Sequence, residues 1–540
     1  MNSFGPEQPP DPAAEPPDDA APTPFAPTVP TRVTIHTGPP APATAPPQPG
    51  QWLQDQPYGA SPHAPYAVAV ARRSHRWRQL LLPLLVLALV GGAGAVLFRD
   101  RLFGDDQPAH PSEWDPRVAD LVEFVQTARE LQWVHPVYVD FLAEAEFVAL
   151  FDQPQGNQAA DATAGLYSQL YDAFGLAVGY DPTQGDATVA AITTLGFYSP
   201  ADDRVYVRGD LITPAVRVVL AHELTHALQA QHFDLAGDGA DDLELRAVVE
   251  ADALRVEDAF RATLSAADRV AADDGNSLAP EAAAGLSDVP WAVLEQRDAP
   301  YVLGPMLVGD VFAAAGNAGI DELIGTPPTE EILLNPWLHG TEQQDAAVTL
   351  EVPVGTIVLD PPQPLSAVAM LVMLDAWLPW RQARGALDGW AGGGYTSYQR
   401  DGVVCFTATA TFDDSGTPFA NAVAAWATAS GSAAAPTTVV NDVTFEACKR
   451  AVGATAPPPP VVSPMQALSL EHDVIALAGD GPSLAQIREY QCLAGTMIDD
   501  PLLAPLLFNE ILNDAEQALS TWQSTIAANE CGVPPLTQRP

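Results

Sequence analysis

The sequence predicts an α+β protein, mainly helical, in which a small sheet precedes a helix bearing H-E-x-x-H and a helical segment closes the chain. Three patterns carry that prediction. Val216, Leu220, Leu224 and Leu228 recur every four residues, the spacing of one helical face. Just upstream, 195–198 and 204–207 are two β-rich runs around the turn Ser199-Pro200-Ala201-Asp202-Asp203, a hairpin signal. After the run Pro457 to Pro460, residues 465–540 read as helical.

Taken in order, residues 1–70 are rich in Pro, Ala and Thr and poor in large apolar side chains. Such a composition cannot offset the entropy of ordering, which predicts a disordered cytoplasmic tail. Within 71–99, Arg72, Arg73, Arg76 and Arg78 precede an uncharged apolar run over 80–98, about long enough to cross a bilayer. The more basic flank stays in the cytoplasm, which predicts a single-pass anchor with everything beyond residue 100 outside the cell. Ala93-Gly94-Ala95 has the small residues of a cleavage site, but the stretch before it is far too long for a cleavable signal peptide.

Residues 100–113 read as a stalk and 114–455 as the folded ectodomain. A helix is expected over 115–131, with Val118, Leu121, Val122, Val125 and Ala128 on one face. A strand over 137–142 and helices over 144–151 and 162–174 lead to the hairpin, whose edge would suit an extended peptide held by main-chain hydrogen bonds. Beyond the motif, helices are expected over 243–264, 301–315 (ending at Gly316), 320–324 and 365–377, with β character over 348–359 and 402–412. Residues 456–464 form a Pro-rich linker before the helical 465–540.

Charge narrows the possible partners. Asp and Glu number 68 against 24 Lys and Arg, a net charge of −44, and Lys449 is the single lysine. That surface repels nucleic acid and anionic lipid. The 4 cysteines all follow the membrane run, so two disulfides are expected, paired locally as Cys405–Cys448 and Cys492–Cys531.

The chemistry concentrates in His222-Glu223-Leu224-Thr225-His226. Residues four apart stack on one helical face, so two imidazoles can reach one zinc ion. Glu223, one step round the helix, can take a proton from water activated there. Thr213-Pro214 suits the start of this helix. For a third ligand the reading favours Glu250, an acid set among alanine and valine in Ala247-Val248-Val249-Glu250-Ala251-Asp252-Ala253. Glu257, Glu244 and His232 are the alternatives, and Asp252 is placed to orient a ligand. Two histidines and a glutamate leave a fourth position for water, the catalytic arrangement.

The stretch His222-Glu223-Leu224-Thr225-His226-Ala227-Leu228-Gln229, continuing through Gln231-His232-Phe233-Asp234-Leu235, resembles the zincin metallopeptidases. Among them it is similar to membrane-anchored bacterial metallopeptidases whose third acid lies in a Val-Glu-Gly-Asp-Ala-like segment. Here that segment is Val249-Glu250-Ala251-Asp252-Ala253. The likeness extends over about 121–398, through Ala299-Pro300-Tyr301, Gly304 and the run Thr326 to Leu333. Two departures stand out. Gln229 occupies the place where metzincins carry a helix-breaking glycine before a third histidine, and Leu254 the place where gluzincins carry a further acid. The resemblance implies a zincin-like catalytic domain over 114–455 on the outer face of a bacterial membrane. It would hold one zinc ion and cleave peptide or protein substrates with Glu223 as general base. It also implies a donor to the oxyanion, for which Tyr301 is preferred and His339, Tyr395 and Tyr398 are alternatives. A zincin-like scaffold without activity and a zinc hydrolase of non-peptide substrates are the competing expectations.

Overall fold

The structure, a computed structural model, describes residues 110–533 apart from internal segments, of which 152–167 is the longest. The expected tail, the membrane run and residues 100–109 of the stalk lie outside the described residues. What is described is α+β, mainly helical, with small sheets.

Helix α1 (Ala119–Arg129) buries Leu121, Val122 and Val125, as its apolar spacing demands, and ends at Glu130 in the left-handed region (φ 56°). Strand β1 (Tyr138–Leu142) and helices α2 (Glu144–Ala149) and α3 (Pro182–Thr193) follow. The anticipated hairpin forms as β2 (Gly196–Ser199) and β3 (Arg204–Arg208), and β1 joins the far edge of β3 in parallel. In the order β1-β3-β2, β2 is an edge strand lying under helix α4 (Pro214–His232), with Gly196 against Val219. All four β2 residues are buried, so the edge expected to be open to a peptide is covered by the protein itself.

Helix α4 begins where its sequence says it should. The Thr213 hydroxyl accepts the Val216 N–H at 3.2 Å, and Pro214 occupies the first turn. Having no glycine at 229, the helix runs on to His232. Helix α5 (Leu243–Thr263) packs beside it and bridges two cores. Its Val256 and Phe260 join α1, the first sheet and α4, whereas Val248, Val249 and Ala251 join the larger core beyond. Helix α6 (Ala266–Asn276) closes against α4.

Helix α7 (Trp291–Gly325) is a 35-residue run that takes in both helices expected over 301–324 and begins earlier than the first of them. Gly316 (φ 64°, ψ −155°) kinks it where the sequence placed an end. Among the described residues it is the one helix long and apolar enough to cross a membrane. Here it is packed along α5, with Leu303, Leu307 and Val308 in the larger core. The approach is close at Gly304. A Cβ there would fall 1.9 Å from the Ala247 carbonyl oxygen, so only glycine fits this crossing.

Beyond helix α8 (Glu330–Leu334) the chain builds a six-stranded sheet. Short strands β4 (Ile357–Val358) and β5 (Gln363–Pro364) precede helices α9 (Ala367–Asp375) and α10 (Trp380–Gly385). The long hairpin β6 (Trp390–Arg400) and β7 (Val403–Phe412), helix α11 (Thr417–Ser430), β8 (Thr437–Val439) and β9 (Asp442–Cys448) complete the order β4-β6-β7-β9-β8, with β5 on β6. Cys405 of β7 and Cys448 of β9 are directly paired in the register and joined by a disulfide.

Among the described residues the C-terminal segment carries three α-helices, α12 (Pro464–Ala476), α13 (Leu484–Asp499) and α14 (Asp514–Glu530), with Cys492 bonded to Cys531. Met465, Ala467 and Leu468 of α12 belong to the larger core, while Val474, Ile487, Leu493 and Ala527 form a cluster of their own. The segment is therefore docked along one seam of the body. Arg384 reinforces that seam, pairing with buried Glu471 at 3.2 Å.

Candidate metal centre

His222 and His226 sit one turn apart on α4, and Glu250 faces them from the middle of α5. Both helices are clamped by the cores on either side, which brings the three side chains together. Four atoms converge there. His222 Nε2 lies 3.0 Å from Glu250 Oε2 and 3.0 Å from His226 Nε2, and His226 Nε2 lies 3.2 Å from Glu250 Oε1. Ligand atoms about 2.0–2.1 Å from a tetrahedral zinc would be about 3.3 Å apart, so the spacing suits that ion.

The other ring nitrogens strengthen the case. His222 Nδ1 meets Glu257 Oε2 at 3.1 Å, and His226 Nδ1 meets Gln229 Oε1 at 3.0 Å. Each partner is an acceptor, so in the neutral rings both Nδ1 atoms carry the hydrogen. Both Nε2 lone pairs then point at each other and at a carboxylate, an arrangement that asks for a cation. Burial disfavours charge on His222, but its hydrogen bonds to the accepting carboxylates of Glu250 and Glu257 outweigh it and hold its pKa well above the ordinary value. For Glu250, burial raises the pKa, and the two histidines more than reverse that and bring it below the usual glutamate value. The cluster favours positive charge.

Glu223 lies beside this cluster without joining it. Its Oε2 accepts the backbone N–H of Tyr198, on strand β2, at 2.8 Å. Burial pushes its pKa up, opposed by the two histidines and assisted by Glu250. A raised pKa suits a carboxylate that must accept and return a proton near neutrality.

No family model, curated protein or solved structure matches this chain. What the site can do is read from its own chemistry.

The structure separates the remaining candidates. Glu257 holds His222 Nδ1 from behind instead of entering the cluster, and Glu244 is buried on the first turn of α5, outside it. His232 points away, with Nε2 2.7 Å from the Gln132 carbonyl, as its place six residues beyond His226 on an unbroken helix requires. Asp252 touches neither histidine. It accepts from Gln229 Nε2 at 2.7 Å, and Gln229 in turn holds His226.

Tyr301 is buried on α7, and burial together with Glu250 and Glu223 keeps its pKa well above normal, so its hydroxyl stays protonated. His339 is exposed, Tyr395 packs on Phe406, and the Tyr398 hydroxyl is hydrogen-bonded to Glu446 in the second sheet. Cys405, Glu446 and Cys448 also lie within ligand distance of one another, but the two sulfurs are spent in a disulfide.

Sequence reasoning missed two contributors. Gln229 was noticed only for not being glycine, and Arg129 was noticed not at all. Its position on the buried side of α1 next to the apolar residues was the available signal, since a fully buried arginine demands an acid.

Proposed function

We propose that this protein is a membrane-anchored extracytoplasmic zinc metallopeptidase of the zincin type, with His222, His226 and Glu250 as ligands and Glu223 as general base. One observation carries the reading: two Nε2 atoms and a carboxylate converge while both Nδ1 atoms are engaged by acceptors. A zinc ion held there would supply Lewis acidity toward a scissile carbonyl and a water molecule of lowered pKa.

The chain's own residues do the rest. Glu223 takes a proton at its carboxylate and returns it to the leaving amine. Tyr301, held protonated, donates toward the oxygen on which charge develops. The two disulfides support an oxidising compartment, which agrees with a catalytic domain outside the cell. The buried β2 edge favours a second reading, a zinc-loaded scaffold without peptidase activity, in which no peptide gains access.

The deciding experiment is metal analysis and peptide cleavage by the purified full-length protein beside His222→Ala and Glu250→Ala. One zinc per chain with cleavage, both lost in the two variants, is the expected result. Zinc without cleavage of any peptide in a broad library would favour the scaffold, and no zinc at all would overturn both readings.

A further inference from the structure

Behind His226 runs a chain of contacts that ends on a residue nearly a hundred positions upstream. Gln229 Nε2 lies 3.0 Å from the Val249 carbonyl and 2.7 Å from Asp252 Oδ2. Both neighbours only accept, so the amide nitrogen must face them; turned over, the amide would press its oxygen on two others. The orientation of Gln229 leaves Oε1 toward His226 Nδ1 at 3.0 Å, which places the ring hydrogen on Nδ1 and the lone pair on Nε2.

Asp252 is fully buried, and so is the cation against it. Arg129 Nε lies 2.7 Å from Asp252 Oδ2, a close charge contact on the very oxygen that holds Gln229. The guanidinium is fixed from its far side, Nη1 donating to Asn317 at 2.9 Å and Nη2 to Asp321 at 2.7 Å, just past the α7 kink. Arg255, which is part-exposed, meets the other oxygen, Oδ1, at 2.9 Å and shares the Asn317 oxygen with Arg129, also at 2.9 Å.

We propose that Arg129 is a positioning residue of the metal centre. By neutralising and fixing Asp252 it locks the Gln229 amide, and through that amide it holds His226 in the tautomer whose Nε2 faces Glu250. The proposal rests on the reading of the cluster as a zinc site. It adds that helix α1, which offers no ligand, sets how well α4 presents one.

The test pairs two readouts on the purified full-length chain. In chelator competition with Zn2+, Arg129→Met and Gln229→Leu should each weaken binding by about 10–100-fold. Arg129→Lys, which restores the charge, should recover most of the loss. Ring 15N NMR of histidine-labelled protein should find His226 as the Nδ1–H tautomer in the unmodified chain and a mixture in Gln229→Leu and Arg129→Met. Should Arg129→Met not fold, Gln229→Leu carries both readouts, because it removes the amide and leaves the ion pair. Wild-type affinity with an unchanged His226 tautomer in these variants would overturn the relay. If the unmodified protein takes up no zinc, the metal reading fails by itself, and the tautomer signature still decides whether the relay exists.

Discussion

At the scale of single residues, Glu223 offers the sharpest test, because it sits beside the convergent atoms and is held by the Tyr198 N–H. Glu223→Gln keeps an acceptor for that N–H and removes the base. Turnover should fall by about 10²–10⁴-fold with zinc content unchanged, measured as kcat beside metal analysis. Gly304 is the structural counterpart. The added methyl of Gly304→Ala would meet Ala247 backbone at 1.9 Å and the Ala251 side chain at 2.8 Å, and neither can yield without parting α5 from α7. A loss of about 3 kcal/mol in urea unfolding is expected, with zinc affinity falling as Glu250 moves. Residues such as His222 and His226 were legible because helical spacing alone dictates that they share a face. Gln229 and Glu257 were not, since their roles depend on which side of a neighbouring helix faces them. Sequence patterns record an acid's apolar setting, as for Glu250, but not which nitrogen it meets.

Among the elements, α4 and the hairpin before it were readable for local reasons: a hydroxyl cap, a proline in the first turn, a Pro/Asp turn between β-rich runs. Thr213→Ala removes the cap and should cost about 1 kcal/mol in thermal unfolding while leaving the cluster intact three turns away. Strand β6 has no counterpart among the expected elements, because Gly392, Gly393 and Gly394 interrupt any run of strand-forming side chains. They are strand residues because they pair with Thr411, Ala410 and Thr409 of β7, and Gly393 must be glycine because Leu365 and Trp390 crowd the space a side chain would fill, tertiary constraints with no local trace. The early start of α7, ten residues before the expected one, has a similar origin. Pro300 and Pro305 would end an isolated helix, but burial of Leu303, Leu307 and Val308 against α5 carries the run through both.

For the molecule as a whole, acidity is not only a matter of the surface. Where the C-terminal helices dock, Glu295 accepts the Met465 N–H at 3.0 Å, and Asp298 and Asp375 lie close by. Burial pushes both aspartates up to about 8, helped by Glu295 for the first and by Asp499 and Glu295 for the second. Each holds a proton in the folded chain that the unfolded chain releases above about pH 4. Their stabilisation is therefore complete below that pH and is lost progressively as pH rises to about 8. Urea midpoints at pH 5, 6.5 and 8 should fall in that order, and Asp375→Asn should flatten the trend. The covalent ties have a different reach. The bridge from Cys405 to Cys448 spans 43 residues and encloses α11 and β8 within a closed ring. A backbone cut anywhere inside that ring severs the chain without releasing a fragment. Such damage would be invisible on a gel run without reductant and would resolve into two pieces once thiol is added.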